Sequence, residues 1–177
     1  MPNLIGTVTL EGGNPVADAW IDMYSVEGGG KHYNGLTDSE GKFKFNLDPL
    51  VGRYNINVEP PTWKEGFENY CRVSTEVVIS SSDIDSSGVV NLEPIVLTTP
   101  NIVGTVYGPL GSAHATSTLE NISVEIFKKS EWEEQKIADD NTDSNGNFKM
   151  SVTDSGNYTL KIWAYGYEGM YAGSEYT

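Results

Sequence analysis

Thr37-Asp38-Ser39-Glu40-Gly41-Lys42-Phe43-Lys44-Phe45 returns later in the chain as Thr142-Asp143-Ser144-Asn145-Gly146-Asn147-Phe148-Lys149-Met150. Each copy reads as a tight turn, with glycine supplying a positive φ, that opens into a strand whose apolar side chains fall on alternate positions. Working outward, Asn3-Leu4-Ile5-Gly6-Thr7-Val8 returns as Asn101-Ile102-Val103-Gly104-Thr105-Val106. Gly52-Arg53-Tyr54-Asn55-Ile56-Asn57-Val58 returns as Gly156-Asn157-Tyr158-Thr159-Leu160-Lys161-Ile162. From Asn3 to Asn101, Thr37 to Thr142 and Gly52 to Gly156 the offsets are 98, 105 and 104 residues. Landmarks in the same order at a near-constant spacing mean one unit duplicated, and the small jumps mark insertions in loops.

A chain of 177 residues suits one large domain or two small ones, and the duplication favours two. The junction is Thr98-Thr99-Pro100, and Pro100 has no N–H to give a ladder, so it suits a short, stiff link. Residues 1–99 are therefore expected to form one module and residues 100–177 a second, divergent copy. Alternation predicts strands over residues 4–10, 20–24, 42–47, 54–58, 73–79 and 89–97, and in the second module over 102–107, 122–127, 148–152 and 158–163. Glu11-Gly12-Gly13-Asn14-Pro15 is a turn cluster. No stretch has helical periodicity, and the charged residues 129–139 read as an elaborated loop or hairpin. Short strands with frequent turns predict an all-β chain of sandwiches.

The landmarks of module one, Gly6-Thr7-Val8, Gly13-Asn14-Pro15-Val16-Ala17-Asp18-Ala19, Thr37 to Phe43 and Gly52 to Val58, resemble those of the carboxypeptidase regulatory-like domain. The resemblance implies two tandem Greek-key β-sandwiches, transthyretin-like or Ig-like, and extends to the B-type repeats of surface adhesins. Such modules act as spacers, stalks or accessory domains. Module two keeps the first, third and fourth landmarks and departs at the second, where residues 108–120 replace the compact turn. Some adhesin repeats carry a Lys–Asn isopeptide bond; residues 4–10 and 102–107 contain no lysine, so none is expected here. Measured against module one, the second copy is expected to lack its last strand or strands. Three readings stand open: the chain stops short of them, its tail pairs differently, or another chain donates a strand. The last would make strand-mediated self-association a property of the protein.

The formal net charge of -14 repels phosphate backbones and anionic membrane surfaces, which argues against nucleic-acid binding and membrane association. No apolar run approaches the roughly 20 residues of a spanning helix, so no membrane insertion is expected. Nothing resembles a signal peptide, since Met1-Pro2-Asn3 leads straight into the first strand; a secreted parent would carry its signal upstream. The single Cys71 has no partner for an internal disulfide. His32 and His114 sit in no catalytic motif, and Glu131, Glu133 and Glu134 read as a solvated face. No enzyme is expected and no cofactor is required.

Two binding chemistries are worth testing. Calcium takes several hard oxygen ligands; Asp139, Asp140, Asp143 and Asn145 form the densest such stretch, expected as a loop. Asp83 and Asp85 have alternate oxygens followed by Gly88, like the first half of an EF-hand loop, although Pro94 stands at the twelfth position. Turns use aspartate, asparagine and glycine in any case. Sugar rings stack on exposed aromatic faces; Trp63 and Tyr70 lie in a polar, proline-rich loop with Phe67, and Trp163 and Tyr167 lie near the C-terminus. The expected function is a non-catalytic extracellular structural, adhesion or spacer module pair of a secreted or cell-surface bacterial protein. Its expected partners are the parent's neighbouring domains and a protein or polysaccharide ligand. The alternative is the carbohydrate-binding accessory region of a secreted hydrolase.

Overall fold

A computed structural model of the chain describes residues 1–26, 30–108, 117–129, 134–153, 155–163 and 174–176. The chain folds as two compact units, Met1–Thr98 and Thr99–Thr177. Apart from one 3₁₀ turn, Ser81–Asp83, the regular structure among the described residues is all strand.

The first unit is a sandwich of two sheets. One holds β1 (Leu4–Leu10) beside β4 (Lys42–Phe45) on one edge, with β7 (Val90–Asn91) and β8 (Ile95–Leu97) on the other. The second sheet runs in the order β3 (His32–Leu36), β2 (Trp20–Ser25), β5 (Gly52–Glu59), β6 (Val73–Ile79). β1 is antiparallel to β4 and parallel to β7 and β8. Between the sheets lie Leu4, Val8, Ile21, Met23, Phe43, Tyr54, Ile56, Val58, Ile79, Val90 and Leu97, all buried. Alternation in β1, β2 and β5 puts these side chains on one face.

Three local expectations change. Residues 89–97 form two strands rather than one, because Pro94 has no N–H and the chain leaves the ladder before β8. β4 ends at Phe45 instead of Leu47. Leu47 is still buried, held by Asn3, whose Nδ2 donates to its carbonyl at 2.8 Å and whose Oδ1 accepts from its N–H at 2.7 Å. β3, unread in the sequence, is a sheet edge with alternating exposed and half-buried side chains and no apolar pattern.

The second unit repeats the plan. β9 (Ile102–Thr105) pairs with β12 (Asn147–Met150); the facing sheet runs β11 (Glu134–Asn141), β10 (Ser123–Lys129), β13 (Tyr158–Trp163), β14 (Ser174–Tyr176). Of the charged stretch read as a loop or hairpin, Lys129 ends β10 and residues 134–139 lie in β11, its antiparallel partner, while residues 130–133 lie outside the described residues. Val106, Leu119, Ile122, Val124, Ile126, Phe148 and Met150 form a separate core. Tyr158 faces Tyr176 as Tyr54 faces Val77, so β14 stands where β6 stands. Among the described residues, no strand corresponds to β7 or β8.

Candidate functional site

Among the described residues, the most deeply buried polar side chains, Thr37 and Thr142, hold strands together. Thr37 is buried; its hydroxyl donates to the carbonyl of Val16 at 2.6 Å and accepts from the N–H of Ala19 at 2.9 Å. Its own N–H donates to the carbonyl of Ala19 at 3.0 Å. Thr142 does the same in the second unit: its hydroxyl donates to Leu119 at 2.5 Å and accepts from Ile122 N–H at 2.9 Å. Between the latched residues, Asp18 and Asn121 have φ of 62° and 58°, a left-handed conformation that Asp and Asn tolerate better than most residues. Leu119-Glu120-Asn121-Ile122 therefore does the work of Val16-Ala17-Asp18-Ala19. The second landmark is present in module two, displaced by a longer connection. Its sequence signal was only the Asp/Asn match and the apolar residues flanking it.

The acidic residues proposed for calcium are spread over several structural tasks. Asp143 Oδ1 accepts from the N–H groups of Asn145 and Asn147, both at 2.8 Å. Asp38 does the same with Glu40 and Lys42, both at 2.9 Å. Asp85 Oδ1 accepts from Ser87 N–H at 2.8 Å and Val89 N–H at 3.0 Å. Asp83 Oδ2 accepts from the N–H and the hydroxyl of Ser80, each at 2.7 Å. Hydrogen bonds to the ionised form hold these carboxyls below the usual carboxylate range. For Asp143 and Asp38 the main cause is the N–H of Asn147 and Lys42 respectively, for Asp85 the hydroxyl of Ser87, and for Asp83 the N–H of Ser80.

Asp139 and Asp140 lie on β11 and not in a loop, a correction to the expected stretch, because strand pairing with β10 extends to Asn141. Consecutive strand residues point to opposite faces. Asp139 stands 3.8 Å from Lys136 Nζ, while Asp140 Oδ2 accepts from Lys149 N–H at 2.8 Å. Asn145 contributes its N–H to the turn. Among the described residues, no three His, Cys, Asp or Glu side chains converge to hold an ion.

The aromatic candidates also part company. Trp63 is 68% exposed. Tyr70 packs with Phe67, centroids 5.9 Å apart, against the first core. Trp163 is half-buried on β13 and its Nε1 donates to Glu125 at 2.5 Å. Tyr167 lies outside the described residues, as do His114, Glu131 and Glu133. Glu134 pairs with Lys161. His32 is exposed, 3.5 Å from Asp22, and Cys71 is buried. Neither has the geometry of a nucleophile and its base.

One concavity was not signalled by the sequence. Where β6 and β7–β8 are the free edges of the two sheets, a groove of about 610 Å³ runs between them. Val73, Val77, Ile79, Val90 and Ile95 line it, with the exposed carboxylates of Glu76, Asp83 and Glu93. It offers apolar contact and negative charge.

No protein-family model and no curated protein matches the sequence. Solved structures similar to this chain include a streptococcal ancillary pilin, 15% identical with a TM-score of 0.38, aligned over 98% of this chain and 58% of that one. They also include the Bacillus anthracis TIE protein, 17% identical with a TM-score of 0.36, aligned over 98% of this chain and 31% of that one. The chain thus spans less than two thirds of either neighbour. Likeness at this distance carries no argument about role. The class of protein rests on the chain's own structure: an all-β protein of two sandwich units, each with its own threonine latch.

Proposed function

We propose that the chain is a non-catalytic structural, adhesion or spacer module pair of a bacterial surface or secreted protein. The observation that carries this reading is the use of the polar groups. The buried threonines, the turn aspartates and Asn3 and Asn101 all bind backbone, in matched pairs across the two units. A strand-stapled, duplicated unit extends a chain without needing any chemistry of its own. The net charge of -14 keeps such a pair solvated and repels anionic partners. Neighbouring domains of the parent are the first partners in this reading.

The second reading, a carbohydrate-binding accessory region of a secreted hydrolase, is favoured by one observation, the exposed ring of Trp63. Affinity electrophoresis through gels containing soluble polysaccharides separates the two. Unchanged mobility is expected. Retardation that Trp63→Ala abolishes would replace the spacer reading with the second.

A further inference from the structure

The groove in the first unit lies between two sheet edges of unequal quality. On one side, β7 and β8 are two and three residues long, and Pro94 parts them. On the other, β6 runs unbroken over seven residues, paired with β5 and, among the described residues, with no other strand. Ladder parity fixes what β6 presents. Val26 N–H donates to the carbonyl of Arg53 at 2.9 Å, so Arg53 and Asn55 direct their backbone groups to the β2 side, and Tyr54 and Ile56 direct theirs to β6. Val77 and Thr75 pair with those two, which leaves the N–H and C=O groups of Ser74, Glu76 and Val78 facing outward.

Floor and rim differ in chemistry. Val73, Val77, Val90 and Ile95 line the groove with apolar surface. Glu76, Asp83 and Glu93, all exposed, bring three carboxylates to it. Among the described lining residues there is no lysine, arginine or histidine. An open ladder edge beside an apolar floor fits an extended polypeptide, and the uniform sign of the rim selects a positively charged one.

We propose that this groove docks an extended, cationic segment of another polypeptide, which adds to β6 as a fifth strand of its four-stranded sheet. Backbone bonds supply affinity in such additions, and alternate side chains supply selectivity. Apolar side chains on one face of the newcomer cover Val73, Val77 and Ile95, and lysine or arginine on its other face meets Glu76. Asp83 and Glu93 add to the field that draws it in. A second copy of this chain is the poorer occupant. Pairing two β6 edges would set the same carboxylates against each other, on chains that each carry a net charge of -14. The inference stands on the groove and not on the role proposed above.

The test adds to the full chain a peptide of about eight residues, an ordinary strand length, in which lysine and valine alternate. Amide exchange is followed residue by residue, with light scattering for size. At saturating peptide, exchange at Glu76 and Val78 is expected to slow by at least about tenfold, and binding should weaken as salt is raised. A peptide alternating glutamate and valine should not bind, and neither should one with its lysines and valines gathered in separate blocks. Glu76→Lys combined with Glu93→Lys reverses the charge at two exposed positions and should weaken binding by at least about tenfold. Val78→Pro removes one outward N–H, spares the ladder to β5 and should abolish the slowing. The proposal is overturned by no slowing at millimolar peptide, by equal slowing with either control peptide, or by undiminished binding in both variants. Protection already present in a monomeric chain without peptide, or growing with protein concentration as a dimer forms, would overturn it as well.

Discussion

The ring of Phe43 lies across Gly6 on the neighbouring strand, so close that a Cβ on Gly6 would stand 2.1 Å from Cζ of the ring. Phe148 covers Gly104 in the same way, at 2.5 Å. Two landmarks far apart in the chain are thereby one object: the strand glycine exists because the hairpin phenylalanine needs its space. The ring in turn compensates the side chain that glycine lacks.

Gly6→Ala and Gly104→Ala should each destabilise their own unit by about 1–3 kcal/mol through overpacking. Gly35→Ala is the control, since its Cβ would meet Phe45 at an ordinary 3.6 Å. Urea unfolding of the three variants checks this, and equal midpoints would refute the ring-over-glycine account.

Thr37→Val and Thr142→Val keep the shape of the latch and remove its oxygen. Each leaves a buried carbonyl and a buried N–H without that partner, at a cost of about 1–3 kcal/mol. Thr→Ser at either position should restore most of the loss. A serine variant as unstable as the valine one would mean the methyl group, not the hydroxyl, matters.

Acid should weaken the turns in a defined direction. Asp38, Asp85 and Asp143 have folded values below the ordinary 3.8, so their contribution is complete above that value. It is lost as pH falls through the lower folded values. Asp143→Asn keeps an acceptor oxygen and removes the titration, so its stability should fall less steeply than the wild type's below about pH 4. Urea midpoints across that range decide it; parallel curves would contradict the assignment.

Calcium should leave the melting temperature unchanged relative to chelator, because the turn carboxylates already accept backbone N–H groups. Binding at ten times its dissociation constant would add about 1.4 kcal/mol, a rise of several degrees for units of this size. Such a rise would make the acidic turns ion sites.

The intact mass should equal that of the sequence. The buried polar side chains of the described residues are Thr37, Asn57 and Thr142, with no lysine among them. A deficit of ~17 Da, the loss of ammonia, would reveal an isopeptide bond.

The strands with a buried face were legible, because Leu4, Val8, Ile56 and Val58 alternate as a half-buried sheet requires. β3 was not, since His32 to Leu36 bury too little to leave a pattern. The calcium stretch was misread at Asp139 and Asp140 because charge density does not distinguish a turn from a strand. Their pairing with Glu125 and Val124 decides it, and that contact is non-local. The second latch escaped because Thr142 recognises the backbone of Leu119 and Ile122, which any apolar residue supplies.

The clasp around the first connection has a practical corollary. Leu10 N–H donates to Asn14 in the first unit, and Gly108 N–H donates to Ser117 in the second, so the same closure spans a stretch five residues longer. Since closing a longer loop costs only fractions of a kcal/mol more, the tip at Gly12-Gly13 is a natural graft point. A foreign epitope carried there would be displayed on a platform whose interior never senses its length.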